Sequence, residues 1–122
     1  MAEFGKKQWL IPDMFWPVKD QGEYLAHEGI CVVNANDVDC EIEIDFIYTD
    51  REPIRGYKTV CPAWRTNHIR SDEVIVNGQH IPRGVGYAAI VHCSVPVAVQ
   101  YTRVDVTQPA LTLMTTMAYP VD

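Results

Sequence analysis

The residues of this chain whose types suit chemistry concentrate in two short stretches, WRTNHIR at 64–70 and VAVQYTRVD at 97–105. In an extended strand, successive side chains point to opposite faces of the sheet. The first stretch then presents a hydroxyl, an imidazole and a guanidinium on one face, from Thr66, His68 and Arg70. Such groups bind carboxylates, phosphates and sugar hydroxyls. The stretch therefore predicts a ligand site, with a solvent-facing strand as the alternative.

The second stretch changes character along one face, which begins with Val97 and Val99 and ends with Arg103 and Asp105. This order is typical of a strand that leaves the core and reaches the rim of a sandwich. Arg103 and Asp105 are near enough in sequence to pair with each other or to hold one ligand between them. Both interpretations, a structural ion pair and a ligand site, stay open.

Aromatic side chains crowd the N-terminal region, which prolines interrupt. Trp9 is a candidate surface for stacking on a ligand, because flat rings offer apolar area with fixed geometry. The alternative is that these rings close one end of the fold or a subunit contact. His27 and Glu28 follow at the start of a predicted strand, where they point to opposite faces and do not form one acid–base dyad.

The composition restricts the class of protein. The 122 residues fit one domain, 1–122, and the formal net charge of −6 argues against nucleic acid as the main partner. No apolar run is long enough for a signal peptide or a membrane span, so we expect a soluble cytoplasmic protein without membrane insertion. The four cysteines should then be reduced thiols, and the lack of a CxxC pair predicts no metal site.

The dominant hydrophobic period is two, the period of β-strands, and CEIEIDFIYTD at 40–50 shows it best. The predicted strands cover 27–34, 40–48, 57–61, 64–70, 87–93, 97–104 and 111–119. We expect the first two to form a hairpin, Asn77-Gly78 to form a tight turn, and 94–96 to form the turn between two later strands. The pattern predicts an all-β fold, an antiparallel, jelly-roll-like β-sandwich of about eight strands.

Three segments together resemble the sensory rhodopsin transducer family: HEGICVVNANDVDCEIEIDFIYTDREP, VCPAWRTNHIR and SVPVAVQYTRVD. Their order and spacing carry the resemblance, which runs from Trp9 to about Tyr119. It implies an antiparallel β-sandwich, a cyclic homotetramer and a small-molecule-binding module, with sugars or related metabolites as ligands. It also implies a membrane receptor or signalling protein as a partner, since the family is named after the cytoplasmic partner of a membrane photoreceptor.

The resemblance implies a set of ligand-binding positions in this sequence: Trp9, His27, Glu28, Asp50, Arg65, Thr66, His68, Arg70, Gln100, Arg103 and Asp105. In the resulting hypothesis, the arginines and His68 donate hydrogen bonds, Asp50, Gln100 and Asp105 accept or orient, and Trp9 stacks.

The predicted function is a non-enzymatic cytoplasmic binding module that requires no cofactor and binds a small polar ligand. HExxH, P-loop and GxSxG motifs are absent. The first alternative is an interaction protein that docks on a receptor without a small ligand. Lesser alternatives are a sugar-processing enzyme that uses His68 with Asp50 or Asp105, and DNA binding through the 65–70 strand.

Overall fold

Antiparallel β-strands dominate the computed structural model, which describes residues 3–21 and 24–122. The strands are, in chain order, β1 (Lys6–Phe15), β2 (His27–Asn34), β3 (Cys40–Tyr48), β4 (Ile54–Cys61), β5 (Arg65–Arg70), β6 (Ile75–Val76), β7 (Gln79–His80), β8 (Gly86–Asp105), β9 (Thr112–Met117) and β10 (Tyr119–Val121). Within the described ranges the only helical element is a short 3-10 turn at Ser71–Glu73. The predicted antiparallel all-β fold is confirmed, with ten strands in place of about eight.

The 20-residue strand β8 belongs to both sheets of the fold. Its first half lies between β1 and β3, and its second half lies between β2 and β9. One sheet therefore has the order β10–β1–β8–β3–β4, and the other has the order β5–β2–β8–β9. The predicted turn at 94–96 is wrong, because the chain crosses here from one sheet to the other without reversing. Pro96 is tolerated where the ladder changes partners, since it has no amide to donate.

The predicted hairpin of β2 with β3 is also wrong. β2 pairs with β5 and the second half of β8, whereas β3 pairs with β4 and the first half of β8. The connection between them closes one end of the sandwich, where the buried Asn34 amide donates to the carbonyls of Val38 and Cys61, both at 2.9 Å. Asn34, the last residue of β2, thus satisfies one carbonyl within the connection and one on β4 of the other sheet.

The N-terminal region forms a regular ten-residue strand, β1, which the prolines obscured in the sequence. Ile11 pairs with Ala89 and Met14 pairs with Tyr87, so two residues of β1, Pro12 and Asp13, face one residue of β8. This β-bulge accommodates a proline inside a strand that is paired on both sides.

The core is one hydrophobic cluster to which both sheets contribute. On β3, for example, Ile42, Ile44 and Phe46 are at most 2% exposed, as the period-two pattern predicted. All four cysteines are free thiols, and three of them, Cys40, Cys61 and Cys93, are buried in this core. None of the helical structure in the described residues has the length and apolar character needed to cross a membrane.

The predicted tight turn at Asn77-Gly78 is confirmed. Both residues have positive φ, at 52° and 77°, and they join β6 to β7. This backbone conformation matches the type I′ turn that Asn-Gly favours between paired strands.

We predict that Gly5→Ala destabilises the protein far more than Gly78→Ala, although both glycines have positive φ. A Cβ at Gly5 would lie 1.8 Å from the Val97 carbonyl oxygen, whereas a Cβ at Gly78 meets open space. Backbone strain alone should cost about 1 kcal/mol at Gly78, and the clash should bring the loss at Gly5 to about 3 kcal/mol or more. Urea denaturation of both variants measures the difference, and equal losses would contradict the role assigned to Val97.

Candidate functional site

In the structure, the predicted site residues form two separate clusters, and the remaining ones lie apart from both. The reason is strand alternation: neighbouring residues on one strand point to opposite faces. His27, Thr66, His68, Arg70 and Gln100 lie on the outer face of the sheet that contains β2, β5 and β9. Glu28 and Arg103 instead point inward, where they meet two tyrosines.

The outward-facing residues line a cavity of about 470 Å³, which we call the outer groove. Its lining consists of His27, Gly29, Cys31, His68, Arg70, Gln100, Thr102, Leu113 and Thr115. Register explains the convergence, because Cys31 on β2 lies directly between His68 on β5 and Gln100 on β8. In the next row, Gly29 lies between Arg70 and Thr102, and a Cβ added there would be in ordinary contact with Cys31 and Thr102, at 3.8 and 3.9 Å.

The polar groups of the outer groove differ in how firmly the protein holds them. Arg70 forms a two-point ion pair with Asp72, at 3.0 and 3.1 Å. Burial alone would raise the pKa of Asp72, but the hydrogen bond and charge of Arg70 outweigh burial and lower it. The His27 Nδ1 atom lies 3.0 Å from the Leu25 carbonyl oxygen. The groove thus combines a fixed, charge-balanced guanidinium with an exposed imidazole from His68.

Thr66 lies beside the outer groove rather than in it. It lines an adjacent cavity of about 220 Å³ that shares Cys31, His68 and Gln100 with the groove. Its hydroxyl donates to the Val32 carbonyl oxygen at 3.0 Å. A ligand that extends along β5 from the outer groove would therefore reach Thr66 next.

Glu28 is the centre of the second place, a buried polar cluster inside the sandwich. The residue is 1% exposed, and its carboxylate accepts hydrogen bonds from the hydroxyls of Tyr87, at 2.5 Å, and Tyr101. It also accepts one from the Phe15 amide at 2.8 Å. Arg103 donates from Nε to the Tyr101 hydroxyl at 3.0 Å, so a chain of polar contacts runs from the guanidinium to the carboxylate.

The tyrosines of this cluster act as hydrogen-bond donors. Burial raises the pKa of Tyr87 and of Tyr101, and the charge and hydrogen bonds of Glu28 raise both further. Tyr48 stacks on Tyr87 with ring centroids 5.3 Å apart, and burial raises its pKa to about 12. All three phenols therefore stay protonated at neutral pH. The Tyr48 hydroxyl is buried and has no hydrogen-bond partner within the described residues.

Four of the predicted site residues lie elsewhere. Trp9 is 5% exposed and donates from its indole nitrogen to the carbonyls of Lys6 and Val97, so the prediction that it stacks on a ligand is wrong: its ring is part of the core. Asp50 and Arg65 are exposed, and within the described residues their side chains form hydrogen bonds to the adjacent residues Arg51 and Trp64. Asp105 accepts from the amide and hydroxyl of Thr107.

The structure also tests the side-chain pairs that the sequence suggested, Arg103 with Asp105 and His68 with Asp50 or Asp105. The Arg103–Asp105 ion pair does not form; among the described residues, the acidic groups within 4.0 Å of Arg103 are Asp13, at 3.6 Å, and Glu28, at 4.0 Å. Among the hydrogen bonds of the described chain, none joins His68 to Asp50 or Asp105. The same part of the chain contains no group of three or more His, Cys, Asp or Glu side chains that could hold a metal ion.

The sequence did not identify the residues that complete the outer groove and the buried polar cluster around Glu28. Tyr87 and Tyr101 read as ordinary core residues of a strand, and Asp13 lay in a region that showed no strand pattern. The available signal was that Tyr101 and Arg103, two residues apart on β8, point to the same face of the strand. The groove residues Gly29, Thr102 and Thr115 carried no signal, because only pairing register brings them together.

We predict that Glu28→Ala lowers the free energy of unfolding by about 3–5 kcal/mol, because two buried hydroxyls and the Phe15 amide lose their acceptor. Glu28→Gln, which keeps an acceptor oxygen, should lose less. Urea denaturation measures both, with the exposed Glu41→Ala as the matched control at under about 0.5 kcal/mol. A loss for Glu28→Ala no larger than that of the control would contradict the role of Glu28.

Comparison with known proteins agrees with this architecture. A crystal structure of Thermotoga maritima 1070 is 30% identical, with a TM-score of 0.86 and 96% of each chain covered. The Anabaena sensory rhodopsin transducer is 33% identical, with a TM-score of 0.76, covering 85% of this chain and 92% of that one. No curated protein sequence matches the chain.

The sequence profile of the family described as Anabaena sensory rhodopsin transducer matches residues 4–120. This range contains every strand of the sandwich except the last residue of β10. The match also agrees with the resemblance that the three sequence segments indicated. We conclude that the chain belongs to the Anabaena sensory rhodopsin transducer family.

Proposed function

We propose that this protein is a non-enzymatic, cytoplasmic signalling module that binds a small polar ligand in the outer groove. The observation that carries the proposal is the convergence of His27, His68, Arg70 and Gln100 on one cavity of about 470 Å³. A cavity of this size is within the range that holds small ligands. Family membership supports the signalling role, since a similar protein is a sensory rhodopsin transducer.

The charge balance of the groove favours a ligand rich in hydroxyl groups. Asp72 already neutralises Arg70, so the groove offers hydrogen bonds more than a strong positive field. Gln100, Thr102 and Thr115 add donors and acceptors of the kind that sugar hydroxyls use. Leu113 gives the apolar contact that the face of a sugar ring needs. The ligand class we favour is therefore a sugar or a related metabolite.

The expected behaviour of the groove can be tested by thermal shift of the purified protein against sugars, sugar phosphates, organic acids and nucleotides. A ligand present at about 100 times its dissociation constant adds about 2.7 kcal/mol, which raises Tm by several degrees. His68→Ala should remove the shift, because His68 is exposed in the groove. His80→Ala is the matched control, since His80 is also exposed but lies on the separate β6–β7 hairpin. An equal shift in both variants, or none with any compound, would overturn the proposal.

A second candidate function is protein interaction, and the observation that favours it is the exposed strand β9. All of its side chains are exposed, and Leu113 and Met117 are 69% and 59% exposed. Exposed apolar side chains along the edge of a sheet are typical of a contact surface. In this proposal β9 contributes to the subunit contacts of a homotetramer or to docking on a membrane receptor or signalling protein.

The interaction candidate predicts that Leu113→Glu lowers the oligomeric state, since a carboxylate would be buried without a partner in an apolar contact. Sedimentation velocity measures the effect. Val38→Glu is the control, because Val38 is 57% exposed but lies in the β2–β3 connection. Identical sedimentation of wild type and Leu113→Glu would remove β9 from the interface.

A further inference from the structure

A second cavity, on the inner side of β9, has a different chemical character from the outer groove. This apolar cleft of about 490 Å³ lies between β1 and the segment that runs from β9 into β10. Its lining consists of Ile11, Pro12, Asp13, Tyr101, Met114, Thr116, Met117, Ala118, Tyr119 and Pro120. Apolar side chains dominate it, among them Met114, whose flexible thioether adapts to irregular ligands.

An incompletely satisfied cation, Arg103, lies behind the lining at one end of the apolar cleft. Arg103 contacts two residues of the lining, since its Nε donates to the Tyr101 hydroxyl at 3.0 Å and its Nη2 lies 3.6 Å from the Asp13 carboxylate. Met114, also in the lining, is its register partner on β9. The Nη2 atom is buried yet forms no hydrogen bond within the described chain. A buried guanidinium nitrogen without an acceptor is costly, so an acceptor supplied there would bind favourably.

Asp13 is a weak competitor for this nitrogen. It is held in the β-bulge of β1, and its side chain is 92% exposed. An ion pair with such an exposed partner contributes little, because water screens the attraction. A ligand carboxylate can therefore displace it, while Arg103 itself stays in place through Tyr101, which Glu28 holds.

We propose that the apolar cleft binds an amphipathic monocarboxylate, whose carboxylate takes the place of Asp13 on Arg103. The apolar body of the ligand would lie along Ile11, Met114 and Tyr119. A guanidinium held by a buried network is suited to this role, because its planar fork matches a carboxylate and loses little freedom on binding. The proposal is independent of the outer groove, which lies on the opposite face of the same sheet.

The test uses decanoate as the probe, with decanol and decylamine as uncharged and cationic counterparts, in isothermal titration calorimetry on the full chain. We expect decanoate to bind about tenfold or more tightly than decanol, since a charge-assisted hydrogen bond is added. Arg103→Gln should abolish that preference but leave the binding of decanol unchanged. Asp13→Asn should tighten decanoate binding, because it removes the competing carboxylate.

Three results would overturn the proposal. The first is equal binding of decanoate and decanol, the second is a preference for decanoate that Arg103→Gln retains, and the third is weaker decanoate binding by Asp13→Asn. The Tm of each variant checks that it is folded. Arg103→Lys keeps the positive charge but not the planar guanidinium, and it should show an intermediate preference for decanoate.

If a second copy of the chain fills the cleft, decanoate will fail to bind and Met114→Asp will lower the oligomeric state, which also overturns the proposal. His68→Ala must leave decanoate binding unchanged, so failure of this site and failure of the outer groove are distinguishable.

Discussion

The whole architecture depends on the single long strand β8. Its backbone hydrogen bonds connect β1 and β3 in one sheet and β2 and β9 in the other, so both sheets share one central strand. A strand of 20 residues that bends between layers fixes the relative position of the two sheets without a separate connection. The strand residues of the groove and the cleft lie on β8 itself, on strands paired with it, or on β5 and β10, which pair with its neighbours β2 and β1.

Alternation along the second half of β8 separates two chemical environments by the thickness of one sheet. Gln100 and Thr102 point outward into a polar groove, whereas Tyr101 and Arg103 point inward toward a buried carboxylate and an apolar cleft. Residues adjacent in sequence therefore belong to different sites. This arrangement explains why a single ligand site containing both His68 and Arg103 is not formed.

The buried cluster at Glu28 links β1, β2 and both halves of β8, because its partners come from Phe15, Tyr87 and Tyr101. A buried carboxylate is tolerated only when hydrogen bonds replace its hydration. Three donors meet that requirement here, and the Glu28 amide is itself bonded to the Ser71 hydroxyl at 2.8 Å. Arg103 is oriented by the same network, so the cleft and the core are energetically connected.

The sequence by itself determined most of the strands, the all-β fold and the family, because period-two alternation and turn residues such as Asn77-Gly78 are local signals. It also identified the side chains that converge on the outer groove, since His68 and Arg70 share a face of one strand. Only the tertiary structure decided that β2 and β3 lie in different sheets, that Trp9 is in the core, and that Arg103 meets Glu28 rather than Asp105. Those outcomes depend on which strands pair and in which register, and pairing between residues distant in the chain leaves no local trace.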